Sequence, residues 1–148
     1  MNEQLDRECF VAKLNEDLAS EFRSIIQYVQ HISSIKGAKY QQVVTEMRKH
    51  LAQELEHAMI LAGQIDFLGG VAQTEVPPIR TELRPEAALG QDLSLEERQL
   101  ERYRERIDEA HLLGLPDVAE ALVPLLSETQ NHVRDLRGVL DSEARAGA

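Results

Sequence analysis

Three glutamates stand where apolar residues are expected. At the spacing of one helix face, Leu14, Leu18, Glu21, Ile25, Tyr28, Ile32 and Ile35 form a stripe. Met47, Leu51, Glu54, Ala58, Leu61, Ile65 and Leu68 form a second, and Leu89, Leu93, Glu96, Leu100, Tyr103, Ile107 and Ala110 a third. A fourth runs through Val118, Leu122, Leu125, Thr129, His132, Leu136 and Val139. A core-facing carboxylate is costly unless it is protonated, paired or bound to a metal. His57 follows Glu54 at i+3, on the same face, and His132 lies in the fourth stripe. Three inward carboxylates and two inward imidazoles suit a dinuclear metal site. Such donors accept iron, manganese or zinc, and two ions about 3.5–4 Å apart need carboxylates that bridge them.

A four-helix core can supply this set as a lone Glu from each of two helices and Glu-x-x-His from each of the other two. Glu21 and Glu96 are the lone glutamates, and Glu54 with His57 is one Glu-x-x-His. The fourth helix departs from the pattern, because Thr129 stands three residues before His132. Glu128, four residues before His132, lies on nearly the same face and is the candidate replacement, although its phase places it at the flank of the stripe. Tyr28 and Tyr103 are core-stripe residues, with Tyr28 also a candidate hydrogen-bond donor to the site or radical trap. His31 reads as a surface or packing residue, and His50 and His111 as surface or flank positions. The run from Glu101 to Arg106 reads as a solvated helix face with i,i+4 pairs. Cys9, the one cysteine, permits no internal disulfide and reads as a small packing residue.

The elements that position these side chains follow from glycine and proline. A first helix is expected from about Gln4 to Lys36, ended at Gly37, and a second from about Lys39 to Leu68, ended by Gly69 and Gly70. The short link between them makes these helices antiparallel neighbours. Residues from Val71 to about Arg84 contain Pro77 and Pro78 and form the one long connection. It crosses the length of the bundle, so the third helix runs parallel to the second. The third helix starts at Pro85 and runs to about Leu113; the fourth runs from about Pro116 to Ala144, kinked or locally unwound near Ala121 by Pro124. The fold class is therefore all-α, an antiparallel four-helix bundle with one long crossover, in a single domain over residues 1–148.

Bulk composition narrows the function. With 43% hydrophobic and 28% charged residues the chain is globular in composition, and no run approaches the roughly 18 apolar residues of a membrane span. The N-terminal Met-Asn-Glu-Gln-Leu-Asp-Arg-Glu is acidic and has no apolar signal segment, so a cytoplasmic location is expected. A net charge of −10 argues against nucleic acid as a partner and favours cations.

The motifs resemble those of the ferritin-like proteins, closest to the bacterioferritins and Dps-like ferritins. Leu-Ala-Ser-Glu21-Phe-Arg-Ser-Ile-Ile-Gln-Tyr28 resembles the first-helix motif, Glu54-Leu-Glu-His57-Ala the second and Asp92-Leu-Ser-Leu-Glu96 the third. Leu126-Ser-Glu-Thr-Gln-Asn-His132 falls on the fourth. The resemblance covers about residues 5 to 142. It implies a ferritin-like bundle in which Glu21, Glu54 and His57 hold one iron and Glu54, Glu96 and His132 the other, with Glu54 bridging. It implies Fe(II) oxidation by oxygen or peroxide for iron storage or detoxification, in a homo-oligomer. The family's second bridging carboxylate falls on Thr129, so the His132 position is expected to be weaker. The family's haem-binding Met falls on Leu55, so no haem is expected. His132 lies 16 residues before Ala148, which leaves no room for the family's fifth helix and makes a 24-subunit cage unexpected, with a dimer or 12-mer open. The alternative is a structural or co-assembling subunit with a degenerate metal site, for which Thr129 is the motivating residue.

Overall fold

The computed structural model describes residues 5–147. Four long helices account for nearly all of them: α1 (Arg7–Ser34), α2 (Gln41–Phe67), α3 (Pro85–Leu112) and α4 (Pro116–Ala146). The expected start of the first helix at Gln4 lies outside the described residues; α1 begins at Arg7, where the Asp6 side chain accepts from the backbone N–H of Cys9 at 2.7 Å. A 3₁₀ turn, Ala38–Tyr40, leads into α2.

Helices α2 and α3 end as their glycines require. Gly69 (φ 87°) and Gly114 (φ 71°) take the left-handed conformation. Each is followed by a residue whose N–H returns to the helix, Gly70 to Ile65 O and Leu115 to Ala110 O, both at 2.9 Å. Gly70 also packs closely, since a Cβ there would lie 2.6 Å from Val11 Cγ1. Residues 71–83 form no helix and carry the long crossover. Pro85 opens α3 at its first turn. Pro124 does not unwind α4, which runs continuously through it. Its ring is exposed, so neighbouring helices do not crowd it.

Side-chain pairs give the directions. Along α1, Lys13, Asp17, Glu21, Tyr28 and His31 meet Glu109, Arg106, Tyr103, Glu96 and Asp92 of α3, a descending series. Along α2, His50, Gln53 and His57 meet Asp135, His132 and Glu128 of α4, also descending. Both pairs are therefore antiparallel. Helices α1 and α4, and α2 and α3, make no direct packing pair. They sit on the diagonals, and α3 runs parallel to α2, as the crossover requires.

The core is in two parts. One apolar cluster, with Phe10, Leu14, Leu61, Ile65, Val118 and Leu122, fills one end of the bundle. A second, with Ile35, Val43, Met47, Leu89 and Leu136, fills the other. Between them lies a slab of buried polar groups. No described helix is long and apolar enough to cross a membrane.

Candidate metal centre

The polar slab is built from all four helices. Glu21, Glu54, Glu96, His57 and His132 are each at most 1% exposed. Glu21, Glu54 and His57 bring one ligand atom each to within 4.8 Å of one another, and Glu54, Glu96 and His132 do the same. Glu54 belongs to both groups. The helical phase that produced the stripes explains the convergence: Glu54 and His57 lie one turn apart on α2, and the antiparallel partners carry the rest.

Both imidazoles turn the same nitrogen inward. His57 Nδ1 lies 3.6 Å from Glu21 Oε1 and 3.8 Å from Glu54 Oε2. His132 Nδ1 lies 3.0 Å from Glu54 Oε1 and 3.4 Å from Glu96 Oε2. The outward nitrogens have partners of their own: His57 Nε2 meets Glu128 Oε2 at 2.5 Å, and His132 Nε2 meets Gln53 Oε1 at 2.6 Å. Glu128 is thus outside both ligand groups and sits behind His57, with its side chain 34% exposed. Thr129, beside it, is wholly buried.

The two lone glutamates are held in a crossed arrangement. Tyr28 of α1 donates to Glu96 of α3 at 2.9 Å, and Tyr103 of α3 donates to Glu21 of α1. Gln99 also donates to Glu21, at 2.9 Å. Each tyrosine stands seven residues after the glutamate of its own helix and bonds the glutamate of the other. The repeated Glu-x₆-Tyr was the sequence signal for Tyr103 as a site residue and not only a core-stripe one.

Several expectations are corrected. His50, read as a surface or flank residue, is 3% exposed. It lies four residues before Glu54, stacks on His132 and touches both Tyr28 Oη (3.3 Å) and Asp135 Oδ2 (3.0 Å). His31 is a packing residue, wholly buried, with Nδ1 2.8 Å from Asp92 Oδ2. Arg106, assigned to a solvated face, is buried and bonds Asp17 and Glu109. Burial exposes these groups to partners on other helices, which one stripe does not reveal. His111 is exposed, as expected.

Electrostatics follow from crowding. Burial, with Glu21 and Glu96 nearby, pushes the Glu54 carboxyl well above the ordinary carboxylate range. Burial also opposes ionisation of Glu96, but hydrogen bonds from Glu54, His132 and Tyr28 outweigh it and hold Glu96 down to about 2. The pair therefore shares its burden unequally, with a proton retained on Glu54. Burial works against charge on His57, yet Glu21 and Glu128 overcome it and raise its pKa. The polar atoms of the slab without a hydrogen-bond partner include Glu21 Oε2, Glu54 Oε2, His57 Nδ1, Gln99 Oε1 and Thr129 Oγ1. Three of these are oxygen or imidazole donors on the residues of the two groups, and such orphaned donors are what divalent ions satisfy.

A four-helix bundle with a buried carboxylate–histidine slab defines a class of helical metal-site proteins. The ferritin-like domain model matches residues 11–146, and the chain belongs to the ferritin-like family. No curated protein matches the chain. Among solved structures, a ferritin-like, diiron-carboxylate protein from Bacillus anthracis is 25% identical, with TM-score 0.87, over 93% of this chain and 99% of that one. A dodecameric thioferritin from Bacteroides fragilis, related to bacterioferritin, is 25% identical (TM-score 0.84; 97% and 90% covered). Rhodobacter capsulatus bacterioferritin, with a metal-free dinuclear site and heme iron, is 25% identical (TM-score 0.84; 98% and 89% covered).

Proposed function

We propose that this chain binds Fe(II) in pairs and oxidises it with dioxygen or peroxide, for iron storage or detoxification. The observation that carries this reading is the sharing of Glu54 between two three-residue ligand groups. Glu21, Glu54 and His57 would hold one ion and Glu54, Glu96 and His132 the other, with iron as substrate. Bound iron supplies the electrons that oxygen or peroxide takes up. The protein's own part is to hold and orient: Glu54 links the positions, Tyr28 fixes Glu96, Tyr103 and Gln99 fix Glu21, and Glu128 and Gln53 orient the imidazoles. Manganese or zinc fits the same donors. Leu55 offers no ligand to haem iron, and no haem is proposed. The likeness to a dodecameric relative, and exposed apolar side chains on α1 and α2, support a homo-oligomer.

A second reading is favoured by Thr129, which is neutral where a further carboxylate would complete the set: a structural or co-assembling subunit with a degenerate metal site. Metal stoichiometry after anaerobic Fe(II) loading, followed by ferric absorbance on exposure to air, separates the two. Two irons per chain with oxidation above the buffer blank support the oxidase. One or none, with no such rate, supports the second reading. Glu54→Ala is expected to bind no metal pair; two fully occupied positions in that variant would refute the assignment.

A further inference from the structure

Thr129 Oγ1 is an orphan of the slab that a pair of ions leaves unexplained. A helical threonine ordinarily returns its hydroxyl to a carbonyl one turn back. Thr45 does so, donating to Gln41 O at 3.0 Å. Thr129 does not: it is 0% exposed and its Oγ1 has no partner. Its neighbours bracket the centre. Glu128 reaches His57, and His132, three residues on and therefore on the same face, reaches Glu54 and Glu96. Bound ions would satisfy Glu21 Oε2, Glu54 Oε2 and His57 Nδ1. A neutral hydroxyl is a weak ligand, and its proton still needs an acceptor; an unsatisfied buried donor is unfavourable.

Resting on the metal-pair reading, we infer that Thr129 marks a binding position for a small exogenous carboxylate of the formate class, held by the two ions and by the Thr129 hydroxyl. Such an anion supplies two oxygen donors for the ions and an acceptor for the hydroxyl.

The test uses the full chain loaded with Co(II), whose visible absorption reports its ligands without turnover. Titration with sodium formate, against sodium chloride at equal ionic strength, is expected to give a saturable spectral change with one formate per chain. In Thr129→Glu, whose side chain carries its own carboxylate, the change is expected to be lost. Thr129→Val keeps the volume and removes the hydroxyl, and is expected to weaken formate binding by about tenfold. Two Co(II) per chain without a formate response would overturn the inference and leave the metal pair intact, as would a Thr129→Glu response equal to wild type. Fewer than two Co(II) per chain would overturn the metal-pair reading and this inference with it.

Discussion

His57 presents Nδ1 to the centre and is gripped from behind by Glu128, from the flank of the stripe on which helical phase placed it. A carboxylate on the outer nitrogen fixes ring orientation and makes the inner one more basic. Glu128→Gln is therefore expected to weaken metal binding at the Glu21, Glu54, His57 position by about tenfold, with the other position less affected. Competition with a chelator under anaerobic conditions measures both. Glu54 gives a second prediction. Its carboxyl holds a proton where an exposed one would not, so metal entry must displace that proton. The His57 imidazole is also pushed toward its protonated form, so loading with Zn(II) near neutral pH is expected to release about one to two protons per chain, read with an indicator dye, and affinity rises with pH. In the metal-free chain the sign is opposite for stability. The folded state retains the Glu54 proton above the pH at which the unfolded chain loses it, so this group's contribution falls as pH rises past the ordinary carboxylate value. At this scale the five convergent side chains were legible, because apolar stripes with misplaced polar residues record which way a face points. The partners of His31 and His50 were not: Asp92 and Asp135 lie 61 and 85 residues away, so the pairing exists only once α1 meets α3 and α2 meets α4.

Proline and glycine made the elements readable. Gly69, Gly114 and the Pro77–Pro78 segment mark their breaks by backbone geometry alone, which needs no tertiary information. Pro124 shows where such punctuation is overridden. The apolar contacts of Leu122 and Leu125, both wholly buried, hold α4 helical on either side of it. The missing N–H still leaves one helical hydrogen bond unmade. Because the ring is exposed, Pro124→Ala is expected to stabilise the chain by about 1–3 kcal/mol, raising Tm by several degrees in a thermal melt followed by circular dichroism. A lower Tm would mean that the ring makes contacts that matter more than the lost bond.

For the whole molecule, exposed apolar side chains and net charge pull in different directions. Ile26, Val29, Leu55 and Met59 are 46–65% exposed on α1 and α2, and patches of that kind favour a partner surface. A charge of −10 opposes indiscriminate association. Sedimentation is expected to give a discrete multiple of 16.7 kDa, and Leu55→Glu combined with Met59→Glu is expected to reduce it. Assembly could not be read from stripes, since the same apolar residue serves a core or an interface.

The two ligand groups differ in how much of the chain they need. Glu21, Glu54 and His57 all belong to α1 and α2, whereas Glu54, Glu96 and His132 draw on both sides of the long crossover. During synthesis the first group is complete before α3 has been made. The second exists only in finished chains whose halves have docked. The first still waits on later residues to steady it, Tyr103 and Gln99 on Glu21 and Glu128 on His57, whereas the second has no ligand set at all until the halves have met.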